Sequence, residues 1–311
     1  MPLTLTDVLR GSGGQLAGEF REVTFERAII DSREAGAGAL FVALKGERVD
    51  GNDFVPHAIA NHAAGILSDR PAGAIPNRVA YVQAPDTLKA LQDIGRYKLR
   101  QVEPTVVGVT GTVGKTSTKE AIAGALGQKR PVLKTERNYN TEIGVPLTLL
   151  RLEPEHELAV LEMGMYVPGD IRFLAELTRP RIGVITGVSY VHAERVGTIE
   201  RIAEAKAELV DGLPRDGVAI LNGDNSWTAA MRERGRRSLL FGLEEHNDVR
   251  ASDVQSHGLR GISFRLSYRG ADEDVSLKTI GRHTAYHALA AAAVMLALGY
   301  SLSETAQALH Q

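Results

Sequence analysis

The stretch "VVGVTGTVGKTSTKE", residues 106–120, contains a β-branched run, a glycine-rich loop and the start of a helix. Strand, glycine loop and helix in this order are the context in which phosphate-binding loops occur. Gly114, Lys115 and Thr116 match the end of the common pattern G-x-x-x-x-G-K-[ST], but Val109 stands where that pattern has its first glycine. The loop is therefore either a phosphate site in a different frame or a glycine-rich turn without a ligand.

The residues around the glycines favour a phosphate site. Backbone N–H groups of the loop, together with the positive end of the following helix, would bind phosphate oxygens. Lys115 would bridge the terminal phosphates, and the hydroxyl of Thr116 would coordinate Mg²⁺. We therefore predict a nucleotide-phosphate loop that comprises Thr110, Gly111, Thr112, Gly114, Lys115, Thr116 and Ser117.

Composition and charge limit the class of protein. A hydrophobic content of 43% with 24% charged residues is typical of a soluble globular protein with a sizeable core. The net charge of −2 provides no basic field for nucleic acid, and the absence of cysteine excludes disulfides and thiolate metal sites. The N-terminus lacks a secretory signal pattern, and the most apolar stretch, residues 288–300, is too short for a membrane span. We expect a cytoplasmic monomer.

The pattern along the 311 residues predicts two α/β domains, at residues 1–102 and 103–311. The first reads as a small unit of short strands with a helix near residues 84–101. In the second, strands alternate with helices, which predicts a doubly wound, mostly parallel sheet covered on both faces. Residues 261–280 contain two alternating apolar and polar runs, which predict a small antiparallel hairpin.

Two polar residues follow neighbouring strands of the predicted parallel sheet. Glu162 ends "HELAVLE" and His192 lies just past "RIGVITGV", both at the carboxyl edge, where ligands of doubly wound folds bind. A carboxylate there is well placed for a Mg²⁺ ion beside the phosphate loop. The alternatives are a surface glutamate at a strand end and a structural histidine.

Lys206 lies on the apolar stripe of the predicted helix "TIERIAEAKAELVDGL", four residues after Ile202 and three before Leu209. A lysine on a buried face costs desolvation free energy unless its charge is paired or removed. The alternative is a buried stem with its ammonium group in water. The position therefore marks Lys206 as a candidate functional residue.

At this point the sequence resembles a known family. "GVTGTVGKTSTKE" is similar to the ATP loop of the Mur ligases, whose T-G-T-x-G-K-T form has this spacing and explains Val109. "LEMGM" at residues 161–165 and "NTEIGVP" at residues 140–146 resemble the MurF branch of the family, and "DSREAGAGALFVALKGERVDG" resembles the uridine-diphosphate-binding segment. The resemblance covers essentially the whole chain.

The resemblance implies an ATP-dependent ligase of peptidoglycan synthesis that joins D-alanyl-D-alanine to UDP-MurNAc-tripeptide through an acyl phosphate. It implies two Mg²⁺ sites made by Thr116, Glu162, His192 and a carbamylated Lys206, with Lys115 and these metal ligands in catalytic roles. It further implies that His287 contacts ATP and that the UDP-sugar is bound by Ser32, Arg33, Asn138, Asn140, Thr141 and Glu142. An Asn-rich turn is the alternative for the last four.

The sequence departs from the family at three places. Family members usually have Asn where Thr284 and His287 stand, and the second of these reads adenine; an imidazole offers no bidentate amide edge, which leaves ATP affinity and base selectivity open. The chain also ends at Gln311, where the family's C-terminal domain would begin, so we expect weak or no ligation. Competing hypotheses are a non-catalytic nucleotide-binding module that works with a partner and a MurE-type ligase.

Overall fold

The computed structural model describes residues 3–19, 21–190 and 197–310. The chain divides into two compact units, one formed by Met1–Glu103 with Glu142–Glu155 and the other by Pro104–Thr141 with His156–Gln311. The division at residue 103 lies next to the predicted boundary. However, residues 142–155, which the sequence analysis assigned to the second domain, pack with the first unit.

The first unit contains seven strands and four helices among the residues described. They are β1 (Leu3–Thr4), α1 (Leu5–Ser12), β2 (Gln15–Ala17), β3 (Thr24–Phe25), β4 (Arg27–Ile29), β5 (Ala39–Val42), α2 (Val55–Ala60), β6 (Gly65–Ser68), β7 (Ala80–Gln83), α3 (Thr87–Val102) and α5 (Gly144–Leu149). Strands β4 to β7 pair in parallel, β2 adds to β7 in antiparallel fashion, and β1 pairs with β3.

Side-chain alternation along β5 explains how this sheet is buried on both faces. Leu40 and Val42 belong to one apolar cluster, whereas Phe41 and Ala43 belong to the other. Successive side chains of a strand point to opposite faces, so a continuous apolar run identifies a strand that is covered on both sides. Helix α3, capped by the Asp86 side chain, packs its buried residues against the first cluster.

The second unit carries the larger sheet. Its elements are β8 (Thr105–Thr110), α4 (Lys115–Gly127), β9 (Val132–Lys134), β10 (Leu158–Glu162), α6 (Asp170–Thr178), β11 (Ile182–Ile185), α7 (Ile199–Asp211), β12 (Val218–Asn222), α8 (Ser226–Ala229), β13 (Arg237–Gly242), β14 (Val249–Ser256), β15 (Ile262–Tyr268), β16 (Ala271–Leu277), α9 (Thr284–Ala297) and α10 (Leu302–Leu309). The strand order is β16-β15-β14-β13-β12-β11-β8-β10-β9.

Strands β8 to β14 form a parallel array, and β14, β15 and β16 pair antiparallel. The predicted α/β fold with a mostly parallel sheet is therefore confirmed. The antiparallel part contains the predicted hairpin, β15 with β16, and one further strand, β14.

Helices cover both faces of this sheet. On one face α4, α9 and α10 pack on the strands through residues such as Ile122, Leu126 and Leu289. On the other face α6 and α7 lie together, and Leu209 of α7 sits against Gly108 of β8, where a Cβ would approach within 3.1 Å. After β8 the chain forms β9 and β10 on one side of that strand and then crosses to β11 on its other side. Ligands of doubly wound sheets bind at such a switch point, beyond the carboxyl ends of the strands.

Candidate functional site

The loop between β8 and α4 depends on two glycines with positive φ. Gly111 has φ +150° and Gly114 has φ +84°. A Cβ on Gly111 would lie 1.9 Å from Oγ1 of Thr186, and one on Gly114 would lie 3.1 Å from Cε1 of His287. Both positions therefore require glycine, for backbone conformation and for space.

Residues that follow β11 hold this loop in place. The hydroxyl of Thr186 donates to the carbonyl of Val113 at 2.7 Å, and the amide of Thr112 donates to the carbonyl of Gly187 at 2.9 Å. The amide of Ser189 donates to Oγ1 of Thr112 at 3.1 Å. The loop is thus fixed by hydrogen bonds that use its carbonyls and one side chain, as well as the amide of Thr112.

Helix α4 begins directly after this loop without a side-chain cap at Gly114. By contrast, α3 and α7 are capped by Asp86 and Thr198. The first N–H groups of a helix have no intrahelical partner, and together with the helix dipole they attract anions. The start of α4 therefore has the properties of a phosphate site, and the predicted residues Thr116 and Ser117 lie exposed in its first turn.

Lys115 folds back over the loop that precedes it. Its Nζ donates to the carbonyls of Gly111 at 3.0 Å and Thr112 at 3.3 Å. Burial lowers the pKa of Lys115, and the negative charge of Glu162 partly opposes this effect. The ammonium group is thus held at the loop between two carbonyls that a charged ligand could replace.

Glu162 is 2% exposed at the end of β10, and each of its carboxylate oxygens accepts a hydrogen bond. The hydroxyl of Thr116 donates to Oε2 at 2.8 Å, and the Nδ2 group of Asn140 donates to Oε1 at 2.9 Å. The structure therefore brings together Glu162, Asn140 and the phosphate loop, three features that the sequence analysis assigned to the site separately.

Lys206 is 4% exposed on α7, and no hydrogen bond or ion pair of its ammonium group is present among the described residues. Burial, together with a smaller effect of the positive charge of Lys115, lowers the pKa of Lys206 from 10.5 to about 7. A substantial fraction of Lys206 is therefore an uncharged amine near neutral pH. The prediction that this lysine lies on a buried face is confirmed.

His287 lies in the first turns of α9, beside α4. Its Nδ1 lies 2.9 Å from the hydroxyl of Thr118, and its ring is 6.2 Å from that of His283 in an edge-on arrangement. Burial lowers the pKa of His287, and the charge of His283 adds to this effect. Thr284, the first residue of α9, donates its hydroxyl to the carbonyl of Gly281.

The four polar residues predicted to bind the sugar are divided between the two units. Asn138 and Thr141 lie in the second unit with Asn140, whose amide donates to the carbonyl of Asn138 at 2.8 Å. Glu142 lies in the first unit, where its carbonyl accepts from Gln92 at 3.2 Å. Of these four residues, Asn140 donates a hydrogen bond to Glu162.

The first unit contains a cleft of about 930 Å³ at the segment predicted to bind uridine diphosphate. Its lining includes Ser32, Arg33, Lys45, Phe54 and His57. The hydroxyl of Ser32 lies 3.0 Å from Nδ1 of His57, so that serine is held by a residue that the sequence analysis did not single out. Both predicted residues of this segment therefore line one cleft.

Asp31 and Arg33 form a pair at the edge of this cleft, joined by two hydrogen bonds from the guanidinium group. The hydrogen bonds from Arg33 lower the pKa of Asp31 to about 2. Arg33 itself is 83% exposed, so its guanidinium group stays accessible to an anion.

Within residues 3–19, 21–190 and 197–310, no three histidine, cysteine or acidic side chains are arranged to hold a metal ion. His192 lies outside the described residues. Mg²⁺ at phosphate-transfer sites is usually held by one or two carboxylates, water and substrate phosphates. Glu162 with the Thr116 hydroxyl therefore fits this metal without a second acidic ligand.

Some residues of the site were missed from the sequence. Thr186 forms a hydrogen bond to the loop, and Thr135 forms one to Glu162. Neither residue belongs to a recognisable sequence motif. Lys119 could have been found, because it lies on the same buried face as Ile122 and Leu126 and meets the criterion applied to Lys206.

No helix in the described part of the chain is long and apolar enough to cross a membrane.

Two family models match the chain. The model of the Mur ligase middle domain matches residues 109–295, and the model of the Mur ligase family catalytic domain matches residues 27–98. The first match alone covers more than half of the chain and includes the loop, Glu162, Lys206 and His287.

Individual proteins agree with these models. The UDP-N-acetylmuramoyl-tripeptide–D-alanyl-D-alanine ligase of Escherichia coli K12 is 38% identical over 304 residues, which cover 96% of this chain and 65% of that ligase. The crystal structure of MurF from Acinetobacter baumannii superposes with a TM-score of 0.91 at 32% identity, covering 100% of this chain and 68% of that one. The crystal structure of MurF from Thermotoga maritima in complex with ADP superposes with a TM-score of 0.77 at 32% identity. The match covers 90% of this chain and 65% of that one. The chain thus spans slightly less than two thirds of the E. coli ligase.

Proposed function

The chain belongs to the Mur ligase family, and from this premise we propose that it serves the ATP-dependent joining of D-alanyl-D-alanine to UDP-MurNAc-tripeptide. The observation that carries the proposal is the phosphate loop with the buried, doubly hydrogen-bonded Glu162 beside it. The similarity to ligases named for these two substrates supports this acceptor and donor. It does not favour the MurE-type ligase or the non-catalytic module as alternatives.

In the proposed reaction, the γ-phosphoryl group of ATP moves to the terminal carboxylate of the tripeptide, which gives an acyl phosphate and releases ADP. The amine of D-alanyl-D-alanine then attacks the carbonyl carbon, phosphate leaves, the nitrogen loses a proton, and an amide bond forms. Binding and charge neutralisation supply most of the catalysis in such phosphoryl transfers. The residues of the loop and of the neighbouring strands must therefore bind phosphates, neutralise their charge and position the carboxylate.

The first of these tasks falls to the start of α4. Free N–H groups of its first turn would hold phosphate oxygens, since no side chain caps this helix. Lys115 would exchange its two carbonyl partners, Gly111 and Thr112, for a phosphate oxygen. When an ammonium group exchanges neutral carbonyl partners for a phosphate oxygen, it gains a hydrogen bond in which donor and acceptor are both charged.

Thr116 and Glu162 would hold Mg²⁺, which when bound neutralises charge on the transferring phosphoryl group. Both side chains present oxygen atoms, and they already lie 2.8 Å apart. Asn140 would keep the carboxylate of Glu162 oriented through its second oxygen. His192 remains a predicted ligand for a second Mg²⁺.

Lys206 would contribute as a carbamate. Carbamate formation requires an uncharged amine, which attacks CO₂ and releases a proton, and burial supplies that amine by lowering the pKa of Lys206 to about 7. The product carries a negative charge, so an uncompensated buried cation next to Lys115 becomes its counter-charge. Addition of ¹³C-bicarbonate should give a carbamate signal in ¹³C spectra that is absent from Lys206→Met.

The cleft of the first unit is the proposed place for the uridine diphosphate group. Arg33 is exposed and cationic at the rim, which suits a diphosphate, and Ser32 and Phe54 add a hydroxyl and an apolar wall. Asn138, Thr141 and Glu142 remain predicted sugar contacts. His287 is the proposed neighbour of the nucleotide, because it lies against Gly114 and Thr118.

Isothermal titration calorimetry tests the proposal in two parts. The chain should bind Mg·ATP, and Lys115→Ala should abolish this binding while Lys278→Ala, a change of an exposed lysine, should not. It should also bind UDP-MurNAc-tripeptide, with loss in Arg33→Ala. Binding of neither ligand by the wild-type chain would overturn the proposal.

Ligation itself is a separate measurement on the same chain. Release of ADP with all three substrates present reports turnover. ADP release that depends on D-alanyl-D-alanine would support the proposed acceptor directly. Release with another amino acid, but not with this dipeptide, would favour the MurE-type reaction.

A further inference from the structure

Lys119 is a buried cation to which the proposed reaction gives no role. It lies on α4, one helical turn after Lys115, and only 1% of it is exposed. Burying an ammonium group is costly unless the charge is paired and hydrogen-bonded. Its Nζ donates to the carbonyl of Thr135 at 2.6 Å and lies 2.7 Å from a carboxylate oxygen of Glu120. The paired charge is therefore anchored to one backbone position, Thr135.

Thr135 is itself fully buried and connects β9 with β10. Its amide donates to the carbonyl of Val160 at 3.1 Å. Its hydroxyl accepts a hydrogen bond from the amide of Glu162 at 3.0 Å. Lys119 thus binds the backbone of the residue whose side chain binds the backbone of Glu162.

The remaining contacts of Glu162 are made by its side chain. Thr116, at the start of the helix that carries Lys119, donates to one carboxylate oxygen, and Asn140 donates to the other. Glu162 is therefore tied to α4 twice, directly through Thr116 and indirectly through Thr135 and Lys119. The indirect connection holds the main chain and leaves the carboxylate free to exchange partners.

We propose that Lys119 and Thr135 are positioning residues that hold the main chain of Glu162 at a set distance from the phosphate loop. The inference rests on the proposed role of Glu162 as a Mg²⁺ ligand. A metal ion held by Thr116 and Glu162 would replace the hydrogen bond between these two side chains. The Thr135 hydroxyl and the Lys119 ammonium group then keep the strand end in place, so the site remains ordered as its ligands rearrange.

Matched variants separate positioning from general stability. Thr135→Val removes the hydroxyl at nearly constant volume, whereas Thr135→Ser keeps it. Lys119→Met removes the buried charge, whereas Lys134→Met removes an exposed lysine that pairs with the same Glu120. For each variant, the dissociation constant of ATP is measured with and without Mg²⁺ by calorimetry, and the ratio reports the metal's contribution.

We expect the Mg²⁺-dependent ratio to fall ~10-fold in Thr135→Val and Lys119→Met, in line with the usual effect of residues that orient metal ligands. Thr135→Ser and Lys134→Met should retain the wild-type ratio. An equal loss of ATP affinity with and without Mg²⁺ would mean that these residues are merely structural, and would overturn the inference. An unchanged ratio in a folded Thr135→Val would do the same. If Lys119→Met does not fold, Lys119→Gln takes its place.

Amide hydrogen exchange gives a readout that does not depend on nucleotide. The amide of Glu162 should exchange faster in Thr135→Val than in Thr135→Ser, because only the serine variant keeps the acceptor. Equal exchange rates of the Glu162 amide in the two variants would overturn the inference that the Thr135 hydroxyl holds the Glu162 main chain. If wild-type protein fails to bind ATP, the proposed function fails, while the exchange measurement still decides whether Thr135 holds the Glu162 backbone.

Discussion

The Nδ1 atom of His287 lies 2.9 Å from the hydroxyl of Thr118, and this contact joins α9 to the helix that begins at the phosphate loop. A Cβ on Gly114 would come within 3.1 Å of the same imidazole. The ring therefore packs against the N-terminus of α4 and bonds to its first turns. His287, which the resemblance to the family implied to replace an asparagine, thus has a contact of its own to α4.

His287 should make stability depend on pH. Burial, helped by the charge of His283, lowers its folded-state pKa below 6.5. Because the folded state prefers the neutral ring, its contribution is present above about pH 6.5 and is lost as pH falls through the lower folded-state pKa. The free energy of unfolding should thus decline more steeply from about pH 7.5 to 5.5 in wild type than in His287→Gln, by chemical denaturation. Parallel declines would contradict the prediction.

Lys206 should destabilise the protein near neutral pH. Its folded-state pKa is lowered from 10.5 to about 7, so its contribution is present above pH 10.5 and is lost as pH falls toward 7. Lys206→Met should therefore raise the free energy of unfolding at pH 7 by a few kcal/mol, on the order of 2–4, and by less at pH 10.

The buffers for this comparison must be free of CO₂, because carbamate would remove the cation. Lys278→Met is the matched control, since Lys278 is exposed, and it should change stability little at either pH. A Lys206→Met variant that is less stable than wild type at pH 7 would show that the ammonium group is compensated in the folded state. The same variant should lose Mg·ATP binding if the proposed function holds.

Gly111→Ala should disable the loop without unfolding the sheet. The new Cβ would meet Oγ1 of Thr186 at 1.9 Å, and φ of +150° is strained for alanine. We expect loss of detectable Mg·ATP binding by calorimetry, with an unchanged far-UV circular dichroism spectrum. Gly127→Ala is the control, because nothing lies within 4 Å of its Cβ and its φ is not positive. Wild-type affinity in Gly111→Ala would contradict the assigned loop geometry.

Much of the fold could be predicted from the sequence, because the longer helices and strands bury apolar residues that recur at a regular spacing. The helices at Thr87–Val102 and Ile199–Asp211 were predicted and are confirmed. The strands Gly65–Ser68 and Val132–Lys134 were missed. Each strand has four residues or fewer, which is too short for an alternation of apolar and polar residues to be recognised. Such strands form because they pair with neighbouring strands.

The site was predictable from the sequence where the residue types themselves indicate phosphate or metal binding, as do the glycines, Lys115 and Thr116 of the loop. Its connections were not, because hydrogen bonds such as Thr135 to Glu162 and Thr186 to Val113 join residues 27 and 73 positions apart. The helix Gly144–Leu149 was also missed, since Pro146 lies inside it and the segment was interpreted as part of a binding turn. Such positions depend on tertiary packing, which leaves no local period.

The hydroxyl of Tyr286 should contribute measurably to stability through Asp224. It donates to Oδ2 at 2.8 Å, and the same carboxylate accepts from the amides of Leu243 and Glu244 and from Asn247. Burial raises the pKa of Tyr286, and the hydrogen bond to Asp224 raises it further. Burial also opposes ionisation of Asp224, but the hydrogen bonds outweigh it and lower the pKa of that carboxyl. Tyr286 is therefore a protonated donor to a carboxylate across the neutral range.

Tyr286→Phe should lower the free energy of unfolding by ~2 kcal/mol, the usual value for a hydrogen bond to a charged group. Tyr300→Phe, which removes a hydroxyl that accepts from the exposed Arg130, should cost less. A double-mutant cycle with Asp224→Asn isolates the pair, and a coupling free energy near zero would contradict the assignment. Because Tyr286 precedes His287 on α9, its loss should also weaken the Thr118 contact, so the pH dependence attributed to His287 should shrink in Tyr286→Phe.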